Sequence, residues 1–425
     1  MAEVLIIGGG VAGISAALHA GRAGREAVIL EAGERWGGLL DHFHVDGFRF
    51  DKAVHFAFSS NEDYRAVLEM TDYITHYPEP YNYEQGRWLK HPVQNNLYPL
   101  PVEEKVEAIK SFIDRPEQSK DPDYGQWLIE QFGEVIATRY PYRYTEKYWT
   151  VPPRYLSTDW IGNRLYRPTL EEVLHGAMTE HTPSTYYLPE MLYPRRGGYR
   201  AFLEPLVKDL DLRTGKEVIR INPDKRFVEL SDGSREYYRH LVSSMPLPEL
   251  IKMVENVPEA ISEAAATLWA TSVALVSLGF SKPQVGGHLW FYIYDRDILP
   301  SRAHAPYRKS PDNAPEGCSS LQFETYYSRH APLKLSGEKL TEHILDVVEK
   351  MDIASRSDLK VSDFRTLPYG NVVFDRGMVG RRDFVLDYVR KCGILPVGRF
   401  GEWDYLWADQ SFLSGKKVET LSFML

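Results

Sequence analysis

Three glycines near the N-terminus have the spacing of a phosphate-binding turn. Gly8, Gly10 and Gly13 follow the apolar residues 4–7 and precede an alanine-rich helical pattern. In such a turn the first glycine allows a tight bend, the second lets the backbone approach a pyrophosphate, and the third permits close helix packing. Glu31 ends a second apolar run, 23 residues after Gly8, where a carboxylate can bind a ribose hydroxyl. The pattern predicts a dinucleotide site that includes Gly8, Gly10, Val11, Ala12, Gly13, Glu31 and Ala32.

A second glycine run decides which dinucleotide is predicted. Arg35, Gly37, Gly38 and Leu39 follow the carboxylate closely. They resemble the RxGG element of glutathione-reductase-like flavoproteins, where it supports FAD rather than a nicotinamide. FAD is therefore the predicted cofactor, bound in part by these four residues. Because no second G-x-G-x-x-G occurs later, a dedicated NAD(P) domain is not expected, and NAD(P)H is retained only as a candidate reductant.

Segments of the predicted FAD-binding domain alternate along the chain with two inserted regions. Helical apolar spacing over residues 100–182 predicts a helical insertion. Alternating and aromatic strands over 265–385 predict an antiparallel substrate domain. Residues 1–90, 197–255 and 390–425 are assigned to an FAD-binding domain. The sequence thus predicts an α/β fold with α+β insertions, in which a glutathione-reductase-like Rossmann domain is interleaved with the other two domains.

Composition excludes several classes of partner. The 425 residues carry 50 Lys and Arg against 59 Asp and Glu, a net charge of −9, so no basic excess is available for nucleic acid. Two cysteines support neither a disulfide framework nor a cysteine-based metal site, and no metal is predicted. No apolar run reaches the ~20 residues of a membrane span, and the start lacks the features of a signal peptide. We expect a cytoplasmic protein whose oligomeric state cannot be read from the sequence.

Five segments carry clustered histidine, tryptophan, arginine and tyrosine residues. In chain order they are DGFRFDKAVHFAFSS, HPVQNNLYPLP, YTEKYWTVPPRYLSTDWIGNRL, LPSRAHAPYRKSPDNAPEG and GRFGEWDYLWADQSFLSG. Each is similar to a motif of the UDP-galactopyranose mutase family of flavoenzymes, and some features match its eukaryotic branch. Because the five motifs occur in the family's order, from the first strand to the last helix, they argue against chance similarity.

The first three motifs imply residues around the flavin and the nucleotide. His55 would lie beside the flavin, Gln94 would line the nucleotide site and Trp149 would face the uridine. Arg164 would hold the diphosphate. The arginine of bacterial members lies three residues later, where this chain has Arg167, and Arg164 is ranked first. On the residues alone, His55 could equally be a buried structural histidine, and the alternative for Arg164 is half of a solvated ion pair.

The last two motifs imply further contacts. Arg302 would be the second diphosphate arginine, and Tyr292, ten residues earlier, would contact phosphate or sugar. Tyr405 would bind the diphosphate and Arg399 would lie near the flavin. In YPRRGGYR, Gly198 is expected to pack against the flavin rather than to bind an anion. The helix that faces the cofactor would begin with Asp409, Gln410 and Ser411.

This chain departs from the family pattern at several places. The glycine pair before the loop histidine is Ala53 and Val54, whose Cβ atoms restrict the backbone. His91 and Asn371 stand where tyrosines are expected, and Tyr148 replaces a glutamine. The first departure affects the expected mobility of the histidine loop, and the other three affect which sugar or nucleotide is bound.

The resemblance implies a nucleotide-sugar mutase that interconverts pyranose and furanose forms of an NDP-sugar similar to UDP-galactose. The family reaction proceeds through a sugar adduct at N5 of reduced FAD, with His55, Arg164 and Arg302 as the predicted catalytic residues. An FAD-dependent oxidase of the amine-oxidase or protoporphyrinogen-oxidase type is the alternative. A flavin-binding protein that has lost the reaction is a third hypothesis.

Overall fold

The computed structural model describes residues 1–183 and 189–423. Residues 424 and 425, which end the predicted segment 390–425, lie outside the described residues. The strands are, in chain order, β1 (Ala2–Ile7), β2 (Ala27–Leu30), β3 (His42–Val45), β4 (Phe48–Asp51), β5 (Tyr73–His76), β6 (Tyr81–Glu84), β7 (Arg87–Lys90), β8 (Met191–Pro194), β9 (Asp211–Arg213), β10 (Val218–Asn222), β11 (Phe227–Leu230), β12 (Arg235–Ser243), β13 (Ser272–Phe280), β14 (Trp290–Ile293), β15 (Arg302–His304), β16 (Ser319–Tyr327), β17 (Leu359–Leu367) and β18 (Ile394–Pro396).

Helices occupy much of the chain between these strands. The α-helices are, in chain order, α1 (Val11–Arg22), α2 (Glu62–Leu68), α3 (Val102–Ile113), α4 (Tyr124–Arg139), α5 (Pro141–Tyr148), α6 (Leu170–Met178), α7 (Glu204–Val207), α8 (Leu247–Met253), α9 (Glu259–Thr267), α10 (Pro306–Lys309), α11 (Gly337–Lys350), α12 (Met378–Lys391), α13 (Gly398–Gly401) and α14 (Ala408–Gly415). In the described part of the chain, no helix is both long enough and apolar enough to cross a membrane.

The first large sheet contains the predicted dinucleotide unit. Its strand order is β10-β11-β12-β1-β2-β9, and β18 pairs with β12. β1 runs parallel to both β2 and β12. Residues 4–7 of β1 are buried, as expected for an apolar strand inside a parallel sheet that is covered on both faces. α1 follows β1 directly and therefore begins at the carboxyl edge of this sheet.

The second large sheet is mostly antiparallel and has the order β17-β13-β16-β15-β14-β6-β7. β6 pairs with β14 in parallel, so two strands from the predicted segment 1–90 are hydrogen-bonded to this sheet rather than to the first. α11 packs on the sheet through its buried side chains Leu340, Ile344 and Val348. The short strand β15 pairs with β16 in antiparallel fashion, which places Arg302 opposite Glu324.

The region 100–182 contains the four helices α3 to α6. α4 is kinked at Gly133, which has a φ of +74°. A Cβ at that position would lie 2.2 Å from the Ser111 carbonyl oxygen, so the close approach of α3 and α4 requires glycine. α5 follows α4 immediately and carries tyrosines toward the second sheet, where Tyr148 contacts Tyr326.

The end of the chain returns to the first sheet. β18 adds to β12, and α14 packs against α1. A Cβ on Gly415 would lie 2.7 Å from the Ala12 carbonyl oxygen, and the Ser15 hydroxyl donates to the Phe412 carbonyl at 2.6 Å. The last helix is therefore fixed directly against the helix that begins at the glycine turn.

Candidate active site

The glycine turn between β1 and α1 has the geometry of a pyrophosphate cradle. Gly8 has a φ of +102°, a conformation that favours glycine. A Cβ on Gly13 would lie 2.0 Å from the Gly8 carbonyl oxygen, so α1 can approach the turn only because residue 13 is glycine. A Cβ on Gly10 would have only the Gly38 Cα near it, at 4.0 Å. A Cβ on Gly38 would lie 3.3 Å from the Gly10 Cα, so the turn and the second glycine run approach each other closely at these two glycines.

The first turn of α1 carries backbone N–H groups that have no acceptor within the helix. α1 begins at Val11, its cap residue Gly10 has no side chain, and the first turn contains no acidic residue. Ala12 is buried, and a Cβ on Gly398 would lie 2.4 Å from its methyl group. A helix N-terminus of this kind offers donors and partial positive charge to an anion. These residues fit the pyrophosphate of a dinucleotide.

Glu31 directly follows β2 and lies against the turn. Its Oε2 atom accepts the Gly9 N–H at 2.7 Å, and its Oε1 atom accepts the Gly33 N–H at 2.8 Å. Ala32, which follows it, is exposed. Because each carboxylate oxygen keeps a second lone pair, the predicted contact to a ribose hydroxyl is compatible with these two bonds.

A buried carboxylate organises the second glycine run. Asp41 accepts two hydrogen bonds from Arg35, at 3.0 and 2.7 Å, and one from Arg200 at 2.9 Å. Burial alone would raise the pKa of Asp41, but Arg35, Lys52 and Arg200 lower it to about 2. Gly37, at a φ of +111°, bends the chain between Arg35 and Asp41. The predicted residue Leu39 is half-buried in the same turn.

The end of β4 is held by a buried ion pair. The Asp51 carboxylate binds the Lys309 ammonium, and both side chains are fully buried. The Tyr193 hydroxyl donates to Asp51 at 2.7 Å, and the Tyr199 N–H donates at 3.2 Å. A Cβ on Gly198 would lie 3.1 Å from the Asp51 carboxylate, so this glycine packs against β4. Its predicted contact to the flavin stays a prediction.

His55 lies in the loop that follows this ion pair. Its Nδ1 is 3.2 Å from the Ala53 carbonyl oxygen, and its ring centroid is 5.7 Å from that of Tyr199. Burial lowers the pKa of His55 to about 4, so the imidazole is neutral near pH 7, with Nδ1–H as donor and Nε2 as acceptor. The Val54 N–H donates to the Glu324 carboxylate at 2.8 Å. The loop is thereby tied to β16.

Arg302 begins β15 and pairs with that same carboxylate. Its Nε donates to Glu324 at 2.5 Å, and its guanidinium donates to the Tyr326 hydroxyl at 2.9 Å. Burial would lower the pKa of Arg302, but Glu324 raises it, so the guanidinium is charged. It lies 5.4 Å from the centroid of the Tyr148 ring.

Arg164 and Arg399 both lie against the Tyr405 ring, 4.8 and 4.5 Å from its centroid. Arg164 donates to the carbonyl oxygens of Trp160 and Tyr405 at 2.8 and 2.7 Å. Arg399 donates to the Leu406 carbonyl at 2.9 Å. Backbone carbonyls therefore help to orient both guanidinium groups.

Two of the departures from the family pattern contact each other. The Tyr148 hydroxyl donates to Asn371 Oδ1 at 3.2 Å and lies 3.0 Å from the Tyr405 hydroxyl. Arg399 donates to the same Asn371 oxygen at 2.7 Å. Burial, with Tyr405 nearby, raises the pKa of Tyr148, so its hydroxyl is protonated at neutral pH. We use the name arginine–tyrosine cluster for Arg164, Arg302, Arg399, Tyr148, Tyr326 and Tyr405.

Two predicted aromatic residues adjoin this cluster. Trp149 is only 2% exposed, and its ring centroid is 5.3 Å from that of Tyr405. Tyr292 on β14 contacts His91 and Tyr144, with ring centroids 4.9 and 5.3 Å apart. Trp149 therefore supports the Tyr405 ring from the core, whereas Tyr292 is half-buried at the side of the cluster.

Other predicted residues lie apart or play a local part. Gln94 donates to the Tyr166 carbonyl at 3.0 Å, and the exposed Arg167 lies over the Trp127 ring at 5.1 Å. Of the two alternative arginines, Arg164 is the one that belongs to the cluster. At the start of α14, Asp409 accepts from Ser59 at 3.2 Å, and burial raises its pKa. The side chain of Gln410 accepts the Trp407 N–H at 2.9 Å, and Ser411 is buried.

Sequence reasoning missed Glu324, Tyr326 and Lys309. The alternation of β16 contains a signal for the first two, because residues two apart on a strand share a face. Glu324 is fully buried, and a carboxylate in such a strand indicates a buried cation partner. Lys309 had no comparable signal, since a lysine beside Arg308 and Ser310 reads as a surface residue. Across residues 1–183 and 189–423, no group of three or more His, Cys, Asp or Glu side chains is placed to hold a metal ion.

Curated relatives of the chain are named as desaturases. It is 24% identical over 381 residues to a phytoene desaturase of Fusarium fujikuroi, a match that covers 75% of this chain. The match spans 65% of the length of that relative. A carotenoid 3,4-desaturase of Haloarcula japonica is 45% identical over 49 residues, which are 12% of this chain and 10% of the relative.

Solved structures share the fold. A crystal structure of reduced UDP-galactopyranose mutase has a TM-score of 0.93 at 23% identity and covers all of this chain and 96% of its own. A putative protoporphyrinogen oxidase from Exiguobacterium sp. 255-15 has a TM-score of 0.77 at 20% identity, over 100% and 98% of the two chains. The predicted fold class, an FAD-dependent α/β fold, is confirmed.

The sequence profile described as flavin containing amine oxidoreductase matches residues 11–384. This match covers most of the chain and agrees with a turn that fits a dinucleotide, so FAD is the indicated cofactor. The chain belongs to the flavin containing amine oxidoreductase family.

Proposed function

We propose that this protein is a flavin-dependent nucleotide-sugar mutase, which interconverts the pyranose and furanose forms of an NDP-sugar such as UDP-galactose. One observation carries the proposal. The arginine–tyrosine cluster brings three guanidinium groups and three phenol hydroxyls from α5, β15, β16 and the segments around 164 and 398–407 into one contact network. Guanidinium groups bind diphosphate oxygens well because their donors form a planar fork.

The same cluster argues against a long hydrocarbon as the substrate. The names of the curated relatives refer to phytoene and carotenoid, which are apolar molecules. A hydrocarbon bound over Arg164 and Arg399 would remove water from these charged groups and offer them no hydrogen-bond acceptor in return. Such desolvation of a charge is unfavourable. A diphosphate supplies negative charge and acceptor oxygens and therefore fits these groups better.

Arg302 and Arg164 share one part in the proposed reaction but are held in place by different partners. Arg302 is held in place by Glu324 and Tyr326, and Arg164 is held by backbone carbonyls. Donors fixed in this way stabilise the charge that develops on the diphosphate as it leaves the sugar. The neutral imidazole of His55 offers an acceptor at the adjoining loop. Reduced FAD, when bound, supplies the nucleophilic centre that the sugar carbon needs while the diphosphate is detached.

The direct test is product analysis. FAD-loaded protein is reduced anaerobically and incubated with UDP-galactose and a panel of other NDP-sugars, and a furanose product is expected from at least one of them. Arg164→Ala should lower turnover by about 100-fold with FAD still bound, as expected for loss of a charge-stabilising donor. Arg167→Ala, which removes an exposed arginine outside the cluster, is the matched control and should resemble wild type. Absence of any furanose product with FAD intact would overturn the proposal.

A second candidate is an FAD-dependent oxidoreductase of the amine-oxidase or protoporphyrinogen-oxidase type. The family match and the similar fold of a putative protoporphyrinogen oxidase favour it. It predicts oxygen consumption with an amine or a porphyrinogen and no affinity for UDP. Bleaching of the flavin spectrum by NADPH would identify the reductant that the first candidate needs, because an oxidase takes its electrons from its own substrate.

A further inference from the structure

A hydrogen-bond chain runs from Arg399 through Asn371 and Tyr148 to Tyr405. The three successive distances are 2.7 Å from the guanidinium to Asn371 Oδ1, 3.2 Å from that oxygen to the Tyr148 hydroxyl, and 3.0 Å to the Tyr405 hydroxyl. Asn371 and Tyr148 are both buried. The position of each proton in this chain can be derived from the chemistry of its members.

The guanidinium group fixes the direction of the chain. Arginine has only donors, so the Asn371 atom that faces Arg399 must be the carbonyl oxygen and not the amide nitrogen. The Tyr148 hydroxyl can then interact with that oxygen only by donating to it. Because a hydroxyl has a single hydrogen, Tyr148 cannot also donate to Tyr405, and its oxygen must accept there. The Tyr405 O–H therefore points toward Tyr148.

This direction bears on the role of Tyr405. Because the Tyr405 hydroxyl donates its hydrogen to Tyr148, it can only accept a hydrogen bond from a ligand. The segment cannot easily turn, since the Tyr405 carbonyl binds Arg164 and its ring lies between contacts to Arg164, Arg399 and Trp149. Oxygens of a diphosphate are acceptors and need donors, whereas sugar hydroxyls can donate.

We propose that Tyr405 accepts a hydrogen bond from a hydroxyl of the sugar and does not donate to the diphosphate, and that Tyr148 and Asn371 impose this polarity. The inference rests on the proposed function and assigns one part of its substrate to one residue. Both Tyr148 and Asn371 are departures from the family motifs, so the pair is a specificity-determining feature of this chain.

The experiment compares UDP with UDP-galactose as probes for the reduced, FAD-loaded protein, with Kd measured by calorimetry. Tyr405→Phe should leave the Kd of UDP within about twofold. It should raise the Kd of UDP-galactose by roughly 3- to 10-fold, the range expected for one lost hydrogen bond. Tyr237→Phe removes a hydroxyl from an exposed tyrosine of β12 in the first sheet and serves as the matched control. It should change neither constant.

A second variant tests the direction of the chain itself. Tyr148→Phe keeps the ring but removes the acceptor for the Tyr405 proton, which becomes free to turn to a phosphate oxygen. We expect UDP to bind roughly 2- to 5-fold more tightly than to wild type, as one released donor would allow. Asn371→Asp keeps an acceptor beside Arg399 and should retain the wild-type preference.

The outcomes separate this inference from the proposed function. If wild type binds both probes but Tyr405→Phe raises the Kd of UDP as much as that of UDP-galactose, the inference is wrong and the proposed function stands. The inference is also wrong if Tyr148→Phe leaves UDP binding unchanged. If the wild-type protein binds neither UDP nor any NDP-sugar, the proposed function fails, and the role assigned to Tyr405 fails with it.

Discussion

The glycine turn of the first sheet and the arginine–tyrosine cluster beside the second are built by different physical means. The turn depends on missing side chains: Gly8, Gly10 and Gly13 lie within one short segment and let backbone atoms approach each other. The cluster depends on long side chains from distant segments, such as Arg164 and Arg302, which are oriented by partners elsewhere in the chain. The backbone turn tolerates no added atom where a Cβ would clash, as at Gly13, whereas the cost of losing a side chain from the network depends on the partners that it leaves behind.

The largest effect is expected at the turn. Gly13→Ala places a methyl carbon 2.0 Å from the Gly8 carbonyl oxygen, a clash that the backbone can relieve only by moving α1. We expect loss of FAD binding and a fall in unfolding free energy of at least about 3 kcal/mol, the upper range for point mutations. Flavin absorbance after purification and urea unfolding measure the two effects.

The same helix offers the control. A Cβ on Gly21 meets no atom within 4 Å, and Gly21→Ala should stabilise α1 by about 0.5–1 kcal/mol because alanine is the better helix former. If both substitutions proved equally mild, the turn would not be restricted to glycine, and the contrast between the two regions would be lost.

At the cluster, the cost in stability should differ between two arginines. Arg302→Ala leaves the fully buried Glu324 without its cation, which should cost about 3–5 kcal/mol. Arg164→Ala removes hydrogen bonds to two neutral carbonyls and should cost about 1–2 kcal/mol. Both values are measurable by urea unfolding of the FAD-loaded protein.

The double variant Arg302→Met with Glu324→Gln removes both charges of the buried pair. It should recover most of the stability lost in Arg302→Ala, because no uncompensated charge remains. Equal losses for Arg164→Ala and Arg302→Ala would show that the partner of an arginine does not determine its structural cost here.

The two regions also differ in how far the sequence alone predicts them. The glycine turn was predicted residue by residue because its geometry is local and its residues lie within six positions. Arg164, Arg302 and Tyr405 were placed only through similarity to family motifs, since nothing in their spacing shows that they meet. Glu324 and Lys309 were missed because the sequence does not show whether a charged side chain has a partner of opposite charge in the protein interior. The pairing of Tyr148 with Asn371 joins residues 223 apart and needed the structure.

The smallest effect concerns the loop that joins the two regions. Ala53 has a φ of +80°, which costs a residue with a Cβ about 1–2 kcal/mol relative to glycine. Glycine in turn loses more chain entropy on folding, by about 0.5–1 kcal/mol, so Ala53→Gly should stabilise the protein by no more than about 1.5 kcal/mol. The Val54 N–H bond to Glu324 holds the neighbouring residue in either case. Urea unfolding measures the change, and hydrogen exchange of residues 52–56 shows whether the loop opens more often. A loss of 1 kcal/mol or more would mean that the alanine methyl group makes a contact that outweighs its backbone strain, and the loop would then belong with the side-chain network rather than with the glycine turn.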